Sequence, residues 1–359
     1  MLPLKRKRIY YGWFIALFGS LLIFFVAGTS FYGIAIYLVP LQKALNATRG
    51  NISRAFAIIS LLSGLMMPLV GAAVDKWGAK KCLLFGFTGL ALTFFLFSRM
   101  TNIVHLYILV IFQGIFQSFS GGLPNQALIG KWFIKRRGRA MGLVSAGIGL
   151  GGLVMPWVLG NIIENSSFRS AYLFTSLLFA GICIPITFIF IKDSPFTLGL
   201  RPDGLDTKTK TQQKVRRQGL YLRHARRLYP FWAILIATAL SQGIVGLVSM
   251  HLPAMLQDSG LEIQIAAVYF GIMLGIGISG RLLVGELSDR LKPRYIFIAT
   301  GIGMAACVSL LFFLTVPAAR AVFVTLYGIF QGASATLIPL MVHSLFGARV
   351  FGRIYGVLL

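Results

Sequence analysis

One charged residue, Arg281, lies inside a long run of apolar residues, and its chemistry is that of a buried cation. If this run is a membrane helix, a charge near its centre costs about 2.5–3.5 kcal/mol on membrane-insertion scales, so a favourable interaction must offset that cost. Arg281 precedes Asp289 by eight residues, or about 12 Å along a helix. Gly277, Gly285 and Ser288 share its helical face, which indicates a protein interior rather than lipid. A structural salt bridge, or a side chain that extends to the membrane surface, remains an alternative.

The other titratable residues do not form a pattern typical of an enzyme. Catalysis inside a membrane would need paired acids, a His and Asp set or metal ligands within the apolar runs, and of the nine acidic residues only Glu286 approaches that position. The three cysteines are widely spaced. Two GxGxxG strings begin at Gly147 and Gly275, but neither follows a strand, so they are predicted to be helix-packing faces. The sequence therefore predicts no enzyme, no metal and no other cofactor.

The elements that position Arg281 are predicted to be membrane helices. Apolar residues make up 57% of the 359 positions and charged residues only 12%, whereas a soluble domain has about 25% charged residues. A membrane helix needs about 20 mostly apolar residues, while barrel strands would be about 10 residues long with alternating polarity. The prediction is an all-α polytopic membrane protein, with spans near 13–39, 54–74, 82–99, 103–128, 140–161, 170–191, 230–251, 263–287, 295–315 and 317–341.

Basic residues are distributed unequally between the two sides of these spans. With the N-terminus in the cytoplasm, 27 of the 34 Lys and Arg residues fall on the cytoplasmic side. The positive-inside rule therefore predicts this orientation in the plasma (inner) membrane, and it accounts for the net charge of +25 without a nucleic-acid partner. Within the basic stretch 192–229, residues 214–232 are predicted to form an interfacial helix on anionic inner-leaflet lipids, or else a flexible tether.

The chain contains an internal repeat at one offset of 214 residues. Adding this offset to the fifth and sixth spans predicts two further spans near 354–375 and 384–405, whereas the sequence ends at Leu359, so about ten of twelve helices are expected in a fragment or a truncated reading frame. The predicted parts are an N-terminal six-helix bundle (1–191), a cytoplasmic linker (192–229) and a truncated second bundle (230–359) with helices 7–10 and the start of 11. The matching positions are Gly71 and Asp75 with Gly285 and Asp289, the GIFQ strings at 114–117 and 328–331, and Gly138, Arg139 and Gly142 with Gly352, Arg353 and Gly356.

Particular motifs carry a resemblance to a known family. The loop after the second span, GAAVDKWGAKK at 71–81, resembles the signature loop of the major facilitator superfamily. Further motifs are similar to its monocarboxylate and oxalate/formate branches over about residues 10–359. They are YYGW at 10–13, KWFIKRRGRAMG at 131–142, DSPFTLGLRPDG at 193–204 and GRLLVGELSDR at 280–290. The resemblance implies the major facilitator fold, two parallel-repeat helix bundles whose fifth and eighth spans face each other.

The resemblance also implies a gate at the cytoplasmic side, where an acidic and basic network joins the two bundles. The second copy of the loop departs from the pattern at Lys292, where the pattern has glycine. The predicted gating residues are Gly71, Asp75, Lys76, Gly78, Lys80, Gly285, Asp289 and Arg290.

In the resembling branches, an arginine at the position of Arg281 faces the substrate path and pairs with a carboxylate. The planar guanidinium suits bidentate pairing of this kind. The repeat counterpart of Arg281 is Met67, so the charge belongs to one half only. For the uncharged candidates, hydrogen bonding between helices and core packing remain alternatives. The predicted substrate-binding residues are Arg281, Gln117, Gln331, Tyr32 and Gln242.

These patterns predict a monomeric secondary transporter that moves a small organic anion, a mono- or dicarboxylate, by alternating access. Since the sequence has no GxxxxGK[ST] loop for ATP, antiport by exchange or symport with a gradient is expected. Efflux of amphipathic or neutral compounds, which would not require Arg281, is the alternative within transport. A non-functional truncated product is the third possibility.

Overall fold

The computed structural model describes residues 10–203, 220–347 and 350–359. Within these residues, ten helical segments are long and apolar enough to cross a membrane, which confirms the predicted number of spans and the all-α class. Several extend past their predicted ends, since a helix continues into the polar residues that flank its apolar run. The spans are Tyr11–Leu45, Arg49–Trp77, Ala79–Ser98, Ile103–Trp132, Arg137–Asn165, Phe168–Ile189, Tyr229–Ser249, Val268–Arg290, Pro293–Phe313 and Pro317–Phe346.

Four of these spans are not regular α-helices throughout, the ninth because it ends in a 3₁₀ turn, Leu310–Phe313. The first contains a π-helical turn, Ala27–Tyr32, and a 3₁₀ turn, Gly33–Tyr37. The fourth is interrupted at Gly121, which has extended backbone angles, and the sixth contains a second π-helical turn, Phe179–Cys183. The apolar pattern predicts uninterrupted helices here, because an inserted or extended residue leaves composition unchanged; π-turns of this kind often mark functional positions.

The α-helices are numbered along the chain. In residues 10–203 they are α1 (Tyr11–Val26), α2 (Leu38–Leu45), α3 (Arg49–Trp77), α4 (Ala79–Ser98), α5 (Ile103–Ser120), α6 (Gly122–Trp132), α7 (Arg137–Asn165), α8 (Phe168–Leu178) and α9 (Ile184–Ile189). In the described residues from 220 onward they are α10 (Leu222–Ala225), α11 (Tyr229–Asp258), α12 (Ile263–Arg290), α13 (Pro293–Ser309), α14 (Pro317–Phe346) and α15 (Phe351–Leu358).

Local sequence explains where many helices begin. Thr48, Asn102 and Ser167 precede α3, α5 and α8, and each side-chain oxygen accepts a backbone N–H from the first turn. Pro293 and Pro317 occupy the first positions of α13 and α14, where the missing N–H has no cost. These signals fix the short connections and therefore the order in which the spans cross the membrane.

The predicted linker is ordered at its start. Residues 192–203 pack against the first part of the chain, and Leu220 donates its backbone N–H to the carbonyl of Phe346. The prediction of one interfacial helix over 214–232 is wrong for residues 220–228, of which only the four residues of α10 are helical. The next helix, α11, starts at Tyr229. Residues 214–219 of that prediction lie outside the described residues.

Two pairs of helices make the most extensive contacts between the first part of the chain and the second. The fifth span, α7, packs along the eighth, α12, as the resemblance implies, and α3 packs along α15. α15 begins near the end of α3, where the repeat places the start of an eleventh span. The division into bundles at residues 191 and 230 stays a prediction.

Candidate functional site

Arg281 is almost fully buried, with 4% of its surface exposed, at the place where α7 crosses α12. Its guanidinium extends between two glycines. A Cβ built on Gly149 of α7 would lie 2.6 Å from Nη1, and one built on Gly277 of α12 would lie 3.3 Å from the same atom. The Nε and Nη1 groups have no hydrogen-bond partner among the described residues. The sequence therefore provides space for a guanidinium by omitting two side chains.

The helices approach most closely on one side of this guanidinium. Cβ atoms built on Gly138 and Gly142 of α7 would meet the carbonyl groups of Gly285 and Arg281 on α12. Farther along α12, Gly271 has nothing within 4 Å of such an atom, and neither does Gly160 on α7. Direct backbone packing of these two helices is therefore concentrated at the end where α7 begins and α12 ends, which we call the latch end; the opposite side is the far end.

The guanidinium points away from the latch end. Gly142 packs on the backbone carbonyl of Arg281, whereas Gly149, two turns farther along α7, packs on its side chain. Seven residues of helix correspond to about 10 Å. The charged group thus lies on the far side of the layer in which α7 and α12 touch, and its direction is opposite to that required to reach the nearer membrane surface.

Tyr32 is brought to the same stretch of α7. Its ring packs on Gly152, three residues from Gly149, at the end of the π-helical turn in the first span. The side chain is partly buried. A phenol hydroxyl and a guanidinium over neighbouring turns of α7 form a cationic, hydrogen-bonding surface lined by glycine.

The three predicted glutamines are separated from one another. Gln331, 8% exposed on α14, donates its amide to the Ser249 hydroxyl of α11 at 3.4 Å, and its neighbour Gly332 packs on Gly277. Gln117 on α5 has a buried Oε1 without a partner among the described residues, while Gln242 on α11 is exposed. None of the hydrogen bonds of the described residues joins Gln117 or Gln242 to Arg281. The structure thus brings the side chains of Arg281 and Tyr32 against neighbouring turns of α7. Gln331 lies beside the part of α12 that contains Arg281.

At the latch end, Asp289 at the end of α12 caps the start of α7. Its Oδ1 accepts the N–H of Gly138 at 2.6 Å, and its Oδ2 accepts the N–H of Arg139 at 3.1 Å. The first N–H groups of a helix lack intrahelical partners and carry the positive end of the helix dipole, so a carboxylate is stabilised there. An exposed ion pair, Arg139 to Glu286 at 2.9 Å, lies beside this cap.

Asp75 forms the same arrangement with the start of α15. Its two oxygens accept the N–H groups of Gly352 and Arg353, each at 3.0 Å, and Gly71 packs on the Gly352 carbonyl. Every participant is related to its counterpart at Asp289 by the 214-residue offset. We call these two caps, Asp75 with Gly352 and Arg353 and Asp289 with Gly138 and Arg139, the latch.

Lys292, which departs from the repeated loop pattern, does not disturb the Asp289 cap. Gly78 in the first copy has a φ of 90°, which glycine adopts without strain, whereas Lys292 has a φ of −66° and precedes Pro293 at the start of α13. The second corner is thus built around a proline and has no left-handed position that would require glycine.

The remaining predicted gating residues have different surroundings. Lys80 donates its backbone N–H to Asp193 at 3.0 Å and its ammonium group to the Phe188 carbonyl at 2.6 Å, which keeps it within the first part of the chain. Arg290 pairs with Glu286 at 2.7 Å on the surface of α12, and Lys76 is exposed. These bases border the latch without bridging it.

Two features at the latch end were not identified from the sequence. His343 of α14 is buried, stacks on Phe351 with ring centroids 4.0 Å apart, and packs against Gly130 of α6. Asp203 accepts backbone N–H groups from residues 134–136. The acidic residue of the RPDG string was the available signal, but its partners lie more than 60 residues away in the chain.

The described residues hold no group of three or more His, Cys, Asp or Glu side chains that could bind a metal ion. The GxGxxG strings lie within α7 and α12, where Gly147 packs on the Ser20 carbonyl and Gly280 on that of Ile329. Close packing of this kind leaves the backbone N–H groups in helical hydrogen bonds, so the strings do not form a phosphate-binding loop.

Comparison with known proteins gives one family. The family model described as Major Facilitator Superfamily matches residues 20–359. The uncharacterized MFS-type transporter YhjX of Escherichia coli is 23% identical over 96% of this chain and 83% of its own length. The multidrug resistance protein MdtG of Salmonella typhimurium is 25% identical over 88% of this chain and 75% of its own length. The oxalate:formate antiporter of Oxalobacter formigenes is 24% identical over 49% of this chain and 42% of its own length.

Among solved structures, the proton:xylose symporter XylE superimposes with a TM-score of 0.74 over 97% of this chain and 84% of its own. The sequences are 15% identical, so this likeness concerns the fold alone.

Proposed function

The chain belongs to the major facilitator superfamily, and we propose that it moves a small organic anion, a mono- or dicarboxylate, across the membrane by alternating access. Proteins of this family and fold are transporters rather than enzymes, so the chain is a multi-pass membrane transporter. The substrate class, the coupling and the orientation are the proposal. Arg281 carries it.

The substrate class is supported by the charge and surroundings of Arg281. A buried guanidinium with two unpaired N–H groups is unfavourable, because desolvated donors without partners cost free energy. The described residues contain no ion pair to Arg281, which removes support for a structural salt bridge, and its side chain points away from the nearer surface. A carboxylate can accept hydrogen bonds from this planar guanidinium, and Tyr32 offers a further hydrogen bond.

Access to Arg281 is supported from the far end. Toward the latch end, the glycine contacts of α7 with α12 and the two aspartate caps hold the two halves together, whereas glycines nearer the far end have open space beside them. A carboxylate would enter from the far end, bind Arg281 and Tyr32, and leave after the latch opens. Release of the two caps then constitutes the gating step.

The positive-inside rule supports a cytoplasmic latch end. Lys76, Lys80 and the basic loop 131–139 all lie there, together with the exposed arginines in and just after α10, Arg223, Arg226 and Arg227. We propose that the N-terminus is cytoplasmic, that the protein resides in the plasma (inner) membrane, and that these bases contact anionic inner-leaflet lipids. The far end then faces outward, and the driving force is exchange or an ion gradient.

Binding of radiolabelled carboxylates to the purified protein tests the substrate class. With formate, lactate, oxalate and succinate as probes, Arg281→Ala should weaken binding of the preferred anion by about 30-fold or more, because a charged partner is removed from a desolvated site. Arg281→Lys should restore only part of the affinity, since an ammonium group lacks the planar fork. Arg320→Ala is the matched control, because Arg320 is also a buried arginine, 8% exposed, at the start of α14. Wild-type affinity in Arg281→Ala would reject the anion proposal.

Efflux of amphipathic compounds is the second candidate, and the similarity to MdtG over 88% of the chain favours it. It does not require a cation in the binding site. Cells that express the protein would then extrude a lipophilic dye such as ethidium, and Arg281→Ala would leave that extrusion unchanged.

A further inference from the structure

The segment that follows the sixth span is fixed at both ends to the corners that carry the latch. We call residues 192–203 the strap. At its start, Asp193 accepts the backbone N–H of Lys80 at 3.0 Å, in the corner between α3 and α4. At its end, Asp203 contacts the corner between α6 and α7.

Asp203 binds three successive backbone N–H groups of that second corner. The N–H groups of Ile134, Lys135 and Arg136 all donate to its carboxylate, the last two at 3.1 and 2.9 Å. Its own N–H donates to the Trp132 carbonyl at 3.2 Å. Successive N–H groups that converge on one carboxylate hold a loop in a single conformation, and hydrogen bonds to a charged acceptor are the stronger kind.

Side chains reinforce the contact of the strap with the same corner. The Tyr10 hydroxyl lies 2.9 Å from the carbonyl oxygens of both Trp132 and Arg201, and the Trp132 indole donates to the Lys192 carbonyl at 2.9 Å. Burial, with the nearby Asp203 carboxylate, raises the pKa of Tyr10 well above its ordinary value, so the hydroxyl stays a donor.

The corner held by Asp203 leads directly into the latch. Arg136 is the last residue before α7, and the N–H groups of Gly138 and Arg139, two and three residues later, are those that Asp289 accepts. A cap needs both N–H groups aimed at the carboxylate, so the direction in which α7 starts determines whether the cap forms.

We propose that Asp203 is a positioning residue for the latch, which holds the start of α7 in the direction that Asp289 requires and thereby stabilises the state closed at the latch end. This inference rests on the proposed alternating access. It assigns to the strap a part in the transport cycle, although no strap residue touches Arg281 in the described hydrogen bonds.

The distance at the far end between a label on α7 and a label just before α14 reports whether the latch is closed or open, without any transport assay. Spin labels on Asn165→Cys at the end of α7 and Thr315→Cys before α14 occupy exposed positions, and the three native cysteines are buried. We expect the labels to be far apart in the state described here, in which the latch is closed, and to come closer when the latch opens and the far ends approach.

Asp203→Asn should raise the ratio of short to long distances about tenfold, the effect of losing one hydrogen bond to a charged group. Asn preserves the size of the side chain, but its amide opposes the N–H groups with donors of its own. Tyr10→Phe, which removes one hydroxyl, should shift the ratio in the same direction by less. Asp258→Asn, an exposed acid at the far end, is the control and should leave the ratio unchanged.

The Asp289→Asn background separates positioning from general loosening. If Asp203 acts through the cap, Asp203→Asn should add nothing once Asp289 is replaced. Additive shifts, or an unchanged ratio in both Asp203→Asn and Tyr10→Phe, would overturn the inference. An unchanged ratio in Asp289→Asn alone would instead reject the latch as the gate, so the two failures are distinguishable.

Discussion

Asp75, Asp289 and Arg281 all lie in membrane spans, but hydrogen bonds within the described part of the protein stabilise only the two aspartates. Each aspartate accepts two backbone N–H groups from the start of a helix in the other half of the chain. Two N–H groups of Arg281 have no acceptor among the described residues. The aspartates are therefore satisfied by the protein itself, whereas Arg281 retains the donors that a ligand needs.

Asp75→Asn is expected to slow carboxylate exchange about tenfold while it leaves equilibrium affinity within about twofold. The neutral amide stabilises the start of α15 less than a carboxylate does, so the conformational cycle changes, but the substituted residue lies at the latch end, away from Arg281. Exchange in proteoliposomes and binding to the same purified protein provide the two measurements. Glu164→Gln, at the exposed end of α7, should alter neither. Tenfold weaker binding with normal exchange would contradict this role.

Gly149→Ala is expected to weaken carboxylate binding about tenfold, because the new methyl group would lie 2.6 Å from Arg281 Nη1 and displace the guanidinium. Gly160→Ala on the same helix is the matched control, since nothing lies within 4 Å of its added Cβ. Isothermal titration with the preferred anion distinguishes the two. Equal affinities in both variants would show that the position of the guanidinium does not matter for binding.

At the level of helices, glycines replace side chains at the closest backbone contacts between the two halves. Gly138 and Gly142 of α7 pack on α12, and Gly71 of α3 packs on α15. Without Cβ atoms, backbones approach closely, and such smooth faces can separate and re-form without interlocked side chains. This fits a contact that must open in each transport cycle.

Gly71→Ala is therefore expected to favour opening of the latch end. Its Cβ would overlap the Gly352 carbonyl, so α3 and α15 must separate, whereas Gly64→Ala on the same helix meets nothing within 4 Å. Both changes improve helix propensity by about 1 kcal/mol, so a difference between them reports packing. The Asn165 to Thr315 label distance should shorten in Gly71→Ala only. Identical distance distributions would mean that this contact does not limit opening.

The elements were more predictable than the contacts between distant segments. Spans follow from apolar runs, and the offset of 214 residues predicts that Asp75 and Asp289 are counterparts, which agrees with the matching caps that they form. The sequence did not predict the π-turn that ends at Tyr32 or the backbone N–H groups that converge on Asp203. Neither feature alters composition, and the second joins segments far apart in the sequence. The pattern of small residues beside Arg281 correctly indicated a protein interior.

On the scale of the whole molecule, most basic residues lie at the end where the latch closes the two halves together. The latch, the strap and most loop bases occupy one end of the spans, while the described acids Glu164, Asp258 and Glu262 lie at the other. A membrane potential that is negative inside and anionic inner-leaflet lipids both favour the basic end in the cytoplasm. The state described here would then open outward, with Arg281 available to extracellular anions.

Labelling of single cysteines in intact cells tests this orientation for the whole molecule. Arg136→Cys at the latch end and Asn165→Cys at the far end are both exposed, and the native cysteines are buried, which keeps the background low. A membrane-impermeant maleimide should modify Asn165→Cys at once and Arg136→Cys only after the cells are permeabilised, because the positive-inside rule predicts that the side with 27 of the 34 basic residues is cytoplasmic. Modification of Arg136→Cys in sealed cells would reverse the orientation. Arg281 would then be reached from the cytoplasm, and the state described here would be the one that loads a compound for export.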